Sequence, residues 1–119
     1  MNQNLENELA QFTGTENWHR FNPLMRNVLA TDGAMHLAEK GEAFWLLDII
    51  GSLKLVPKCA NAPFITCKLV KNEDGGATFT ATNGNNTKLY TQEISYTDFP
   101  LDEITLYFID NVILLPSEY

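Results

Sequence analysis

Asp48 is the one acid inside an otherwise apolar run, Ala43-Phe44-Trp45-Leu46-Leu47-Asp48-Ile49-Ile50. A carboxylate in a low-dielectric setting needs a specific partner or takes up a proton, and a carboxyl tuned in that way is what acid–base chemistry uses. The structural alternative puts Asp48 at a helix edge, paired with Lys54 or with a backbone group of a neighbouring strand. The two imidazoles are His19, within Glu16-Asn17-Trp18-His19-Arg20-Phe21, and His36, just after Thr31-Asp32-Gly33. With Asp48 and Trp45 they define a possible small-molecule pocket between a central helix and a sheet, with ligand binding or hydrolysis as its activity. Cys59 and Cys67 lie eight apart, which fits none of the usual zinc loops with ligand pairs about two to four apart, so no metal is expected. A cysteine nucleophile has no supporting context either, and both thiols read as inert and free in a reducing compartment. Gly75-Gly76 and Gly84 fall in hairpin turns, not between a strand and a helix, so no phosphate-cradling loop and no nucleotide cofactor is implied.

The charge distribution points to a different kind of chemistry. The chain has a net charge of −7, and from Leu89 to Tyr119 there are six acids and no Lys or Arg. Of these, Asp98, Asp102, Glu103, Asp110 and Glu118, together with Tyr119, form the expected contact face for another protein, preferably a basic one. A patch of one sign steers association with an oppositely charged partner at rates that fall with salt. The plain alternative for the same acids is a solvated surface. Tyr90, Tyr96, Tyr107 and Tyr119 lie among these acids, and tyrosine is enriched at interfaces. Trp18, Phe21, Phe44 and Trp45 read first as packing in a small core, with a pocket lining or a partner interface as the alternative. Direct binding to nucleic acid is not expected, because it is driven by Lys and Arg on the phosphate backbone.

These side chains need elements to hold them. Leu5, Leu9 and Phe12 at i, i+4 and i+7 predict a short amphipathic helix over Asn4 to Phe12, stopped by Thr13-Gly14-Thr15. Asn22-Pro23 reads as an N-cap and first position of a helical turn through Leu24 and Met25. Thr31 or Asp32 caps a helix through Leu37 and Ala38, and Gly41 breaks it. The run from Glu42 to about Leu53 is apolar on every side, which predicts an enclosed central helix, and Pro57 and Pro63 bracket a loop.

From Phe64 the period becomes two. Ile65, Cys67 and Leu69 alternate with Thr66 and Lys68, and Ala77, Phe79 and Ala81 alternate with threonines, joined by the turn Asp74-Gly75-Gly76. Asn83-Gly84-Asn85-Asn86 is the next turn, followed by a strand from Thr87 to Tyr96 with room for a bulge. Asp98-Phe99-Pro100-Leu101 makes a corner, and Ile104–Ile109 and Val112–Leu115 flank the turn Asp110-Asn111. The expected class is therefore α+β: N-terminal helices packed on one face of a roughly five-stranded antiparallel meander sheet. It forms a single domain over 1–119, with a helical part at 1–56 and a sheet part at 63–116. Homodimerisation through an edge, Phe64 to Lys71 or Val112 to Leu115, is a further expectation.

With 45% hydrophobic and 19% charged residues the composition is that of a folding domain. Its longest apolar runs, Ala43 to Leu47 and Val112 to Leu115, fall far short of the about 20 residues that span a bilayer, so no membrane association is expected. The start, Met1-Asn2-Gln3-Asn4-Leu5-Glu6, has neither the basic nor the apolar region of a secretory signal, and cytoplasm is the expected compartment.

Three groups of residues also carry a resemblance: Phe12-Thr13-Gly14-Thr15-Glu16; Thr31-Asp32-Gly33 with Leu37-Ala38-Glu39 and Ala43 to Asp48; and the ending Thr97-Asp98-Phe99-Pro100-Leu101 to Leu115-Pro116-Ser117-Glu118-Tyr119. Over nearly its whole length the chain resembles an uncharacterised family of small bacterial, mobile-element and phage proteins, domain of unknown function 6876. The chain departs from the family pattern at Phe44, where a tyrosine is usual, and in a less aromatic first strand, Phe64-Ile65-Thr66-Cys67. The resemblance implies a mobile-element or phage setting, in which short acidic proteins bind and block host proteins, and it implies no catalytic residues. The expected function is thus a non-enzymatic protein-binding module with the acidic C-terminal hairpin as contact face. The alternative is the small-molecule binder or hydrolase built on Asp48, Trp45, His36 and His19.

Overall fold

In the computed structural model, residues 3–12, 17–25 and 27–119 are described. The expected helix stop at Thr13-Gly14-Thr15 lies outside them. Leu5 and Leu9, one turn apart and both buried, hold the first helix, α1 (Gln3–Leu9), against the second. That second helix, α2 (Asp32–Lys40), begins at Thr31, whose backbone is extended and whose hydroxyl accepts the Ala34 N–H at 3.2 Å. It stops at Gly41, whose N–H donates to the Leu37 carbonyl at 2.8 Å.

Helix α3 (Phe44–Ser52) buries Leu46, Leu47 and Ile50, then tightens into a 3-10 turn, Leu53–Leu55. It is less enclosed than its composition predicts: Phe44 is exposed, and Asp48 and Ile49 are half-buried, so one edge of the helix meets solvent. Pro57 opens a short helix, α4 (Pro57–Ala60), where a loop was expected, because proline suits the first helical position. Asn22-Pro23 makes the expected short turn, with the Asn22 carbonyl accepting the Met25 N–H at 3.0 Å. The Asn22 side-chain oxygen caps it by accepting the Leu24 N–H at 2.9 Å. No helix among the described residues is long and apolar enough to cross a membrane.

The strands are β1 (Trp18–Arg20), β2 (Leu29–Thr31), β3 (Phe64–Lys71), β4 (Ala77–Thr82), β5 (Lys88–Ile94), β6 (Glu103–Ile109) and β7 (Val112–Leu114). They form one sheet in the order β1-β2-β7-β6-β3-β4-β5. The α+β class holds, but the five-stranded antiparallel meander is corrected to a seven-stranded mixed sheet. Two causes account for the difference. First, β1 and β2 are three residues each, too short to display alternation, and β2 joins the sheet parallel to β7 through pairs such as Leu29 with Val112.

Second, β6 does not pair with β5. After β5 the chain passes across the β3–β4 turn, with Phe99 and Leu101 buried in the core, and re-enters on the far side of β3. The Thr97 N–H donates to the Gly75 carbonyl, Lys71 donates to the Phe99 carbonyl, and the Lys71 N–H donates to the Asp102 carbonyl, which fixes this crossing at its start, middle and end. The expected edge strands are corrected with it. The strands at Phe64–Lys71 and Val112–Leu114 are interior, and the edges are β1 and β5. The expected bulge is present opposite Ala81 and Thr82.

Register then settles what faces where. Ile65, Cys67 and Leu69 share one face with Phe79, Ala81, Leu106, Phe108, Ile113 and Ala30, and all are buried under the helices. The opposite face carries Trp18, Phe64, Thr66, Lys68, Tyr107, Ile109 and Val112, half-buried or exposed, with no helix over it.

Candidate functional site

The uncovered face is richest at the end of the sheet where β6 turns into β7. Asp110 and Asn111 take positive φ of 51° and 66°, the conformation of a two-residue hairpin turn, and this turn holds the Asp110 carboxylate out in solvent. On the face beside it, Phe64 and Tyr107 pack with ring centroids 4.9 Å apart. Tyr119 meets both rings edge-on, at 5.5 Å from Phe64 and 5.6 Å from Tyr107. Tyr119 nevertheless remains 75% exposed and Trp18 53% exposed. Between them lies a groove of about 430 Å³ lined also by Ile109, Val112 and Leu114.

The six residues expected to form a single contact face are distributed differently. Asp110 and Tyr119 border this groove, and Glu103 is exposed at the other end of β6, 4.0 Å from Lys68. Asp102 is exposed beside it, while Asp98 is exposed in a separate cleft with Lys40, Gly41 and Glu42. Glu118 faces inward, only 7% exposed. Its carboxylate accepts the Thr31 hydroxyl at 2.5 Å, the Gly33 N–H at 3.0 Å and the Leu115 N–H at 3.0 Å. A carboxylate placed at the start of α2 also meets the positive end of that helix. Glu118 therefore clasps the C-terminal turn Pro116–Glu118 to α2, with its carboxylate turned inward.

The four residues proposed for a pocket are likewise separated. Asp48 accepts the Asn22 side-chain amide at 3.0 Å, and Trp45 packs edge-on against Phe99 at 6.4 Å. The predicted Lys54 partner for Asp48 is not made: Lys54 donates to the Asn111 side-chain oxygen. His36 Nε2 lies 2.6 Å from a Glu8 oxygen and its ring packs against Phe12, joining α1 to α2. His19 Nε2 lies 2.6 Å from an Asp32 oxygen, joining β1 to the start of α2. That hydrogen bond, opposed by partial burial and assisted by Asn17, holds the Asp32 carboxyl below its usual range. Among the described residues these four side chains are not gathered around one cleft, and no Ser, Thr or Cys hydrogen-bonds to either imidazole. The space between α3 and the sheet is filled by Leu46, Leu47, Ile50 and Phe79.

Cys59 and Cys67 are buried free thiols. Burial raises both pKa values, and the neighbouring Cys59 raises Cys67 further. Among the described residues no group of three or more His, Cys, Asp or Glu is gathered to hold a metal ion.

In the sequence Tyr119, Tyr107 and Trp18 are interface candidates, but nothing there joins them to Phe64, Ile109 and Val112. The alternation of Phe64 with Ile65 was a readable signal for an outward Phe64. The three-residue strand holding Trp18 offered none.

Fold and face together define a small α+β protein with a mixed sheet, helices on one side and an open aromatic surface on the other. The chain belongs to the family of unknown function DUF6876, whose model matches residues 3–119. No curated protein and no solved structure matches it.

Proposed function

We propose that this protein is a non-enzymatic binding module of bacterial, phage or mobile-element origin that engages a basic protein partner through the outer face of the β6–β7 hairpin. The observation that supports this reading is the uncovered sheet face itself. It presents Trp18 and Tyr119 largely exposed, backed by Tyr107 and Phe64, with Asp110 and Glu103 at its two ends. Soluble domains do not usually leave large rings open on a sheet surface, and aromatic anchors within a charged rim are how interfaces are built. The remaining acids of the C-terminal stretch add a field that attracts a basic partner from a distance.

The test is affinity capture from a bacterial host lysate at low salt with N-terminally tagged protein, beside a variant in which Asp98, Asp102, Glu103 and Asp110 are amides. The expected result is a specific partner whose recovery falls at least tenfold in the variant and falls with added salt. A partner retained equally by both proteins and indifferent to salt removes the acidic face from the reading.

A further inference from the structure

We infer that the groove between Trp18 and Tyr119 is a receptor for one arginine side chain of the partner; this rests on the binding-module reading and deepens it. The groove has the three features a guanidinium needs. Its lining includes two aromatic residues open to solvent, Trp18 and Tyr119, and the aliphatic side chains of Ile109, Val112 and Leu114. Asp110 stands at its rim with its carboxylate exposed. A guanidinium is flat and weakly hydrated, so it stacks on aromatic faces while its three-carbon stem covers apolar surface. Its fork of N–H donors matches a carboxylate in two parallel hydrogen bonds, which the ammonium of lysine cannot do.

Charge complementarity selects this occupant. Among the described residues Asp110 is the one exposed acid lining the groove, which no Lys or Arg lines. Glu118 also borders it, but its carboxylate is taken up by Thr31, Gly33 and Leu115, and Lys54 lies in a different cleft that Asp110 also borders. Arg20 faces the same side of the sheet further along β1, where it lines a separate cleft with Phe21, Asn22 and Pro23. A second copy of this chain is a poor occupant, because it would bring another net charge of −7 against the same surface. The receiving ring is also prepared in advance: Tyr119 is held edge-on by Phe64 and Tyr107, so little side-chain freedom is lost on binding.

The experiment is a heteronuclear NMR titration of the full chain with N-acetyl-arginine methylamide, beside the citrulline analogue, which is neutral and nearly isosteric, and the lysine analogue. The expected result is saturable shifts at the Trp18 indole N–H and the amides of residues 109–114. Citrulline should give under a tenth of that response and lysine at least threefold weaker binding. Asp110→Asn should weaken arginine binding at least threefold, and Tyr119→Ala, an exposed change that leaves the fold intact in the spectrum, should abolish saturation. Citrulline or lysine matching arginine, or shifts that are unsaturable or spread over all the acids, would overturn the assignment. Loss of the captured partner on neutralising Glu103 but not on Tyr119→Ala would overturn the arginine groove and leave the module standing. Arginine saturation without any captured partner would remove the module and leave the groove.

Discussion

Asp32 and Glu118 both lie at the start of α2, yet their surroundings give them different roles. Asp32 is partly exposed and its carboxyl is held below the usual range, chiefly by the His19 hydrogen bond. A carboxyl whose folded pKa lies below its unfolded value of about 3.9 contributes stability that is present above that value and lost as pH falls through the folded one. The melting-temperature advantage of the wild type over Asp32→Asn is therefore expected to hold at about pH 5 and to shrink as pH drops towards about 2. Thermal denaturation across that range checks it, and an unchanged difference would deny the pair its ionic contribution. The thiols provide a second check at this scale. Burial keeps Cys59 and Cys67 protonated, so both should react with iodoacetamide only at the rate of opening in the native protein, and at once in denaturant.

The element that most depends on a distant residue is α2. Thr31 serves its own helix in the ordinary way, but its hydroxyl proton goes to Glu118, and the Gly33 N–H goes there as well. Gly33 is glycine for the same reason: a Cβ there would lie 2.6 Å from Leu115 Cδ1 and 2.7 Å from Glu118 Oε1. Removing the carboxylate strands buried donors, so Glu118→Ala should cost about 3 kcal/mol in urea denaturation. Gly33→Ala should cost about 1–3 kcal/mol by overpacking. Because both act on one contact, the double variant should be less destabilised than the sum, and a simple sum would show that the clasp is not a unit.

At the scale of the whole molecule, the sheet order determines which strands can open. Strand β3 is paired on both sides along nearly its whole length, with β4 and β6, whereas β5 and the short β1 are edges. Native-state hydrogen exchange should therefore find the slowest amides in β3 and β6 and fast alternate amides along β5. Any dimer formed by strand addition has only β5 or β1 to use. Protection along β5 that rises with protein concentration would reveal one, and protection insensitive to concentration would exclude that route. The buried residues of α1, α2 and α3 join the core on the Ile65–Phe79 face, and the Trp18–Tyr119 surface is left open.

Much of the local structure was legible in the residues. The cap at Thr31, the stop at Gly41, the alternation in Ile65–Leu69 and Ala77–Ala81, and the turn at Asp110-Asn111 all arise from interactions within a few positions, so the sequence determines them directly. Thr31, Asp110, Tyr107 and Tyr119 were accordingly identifiable one by one. Tertiary structure alone decided that β6 returns beside β3, that three-residue strands complete the sheet, and that Glu118 turns inward while Tyr119 stays out. The physical reason is that pairing partners and burial depend on residues as much as 87 positions apart, as with Thr31 and Glu118, and no periodicity records a contact of that range.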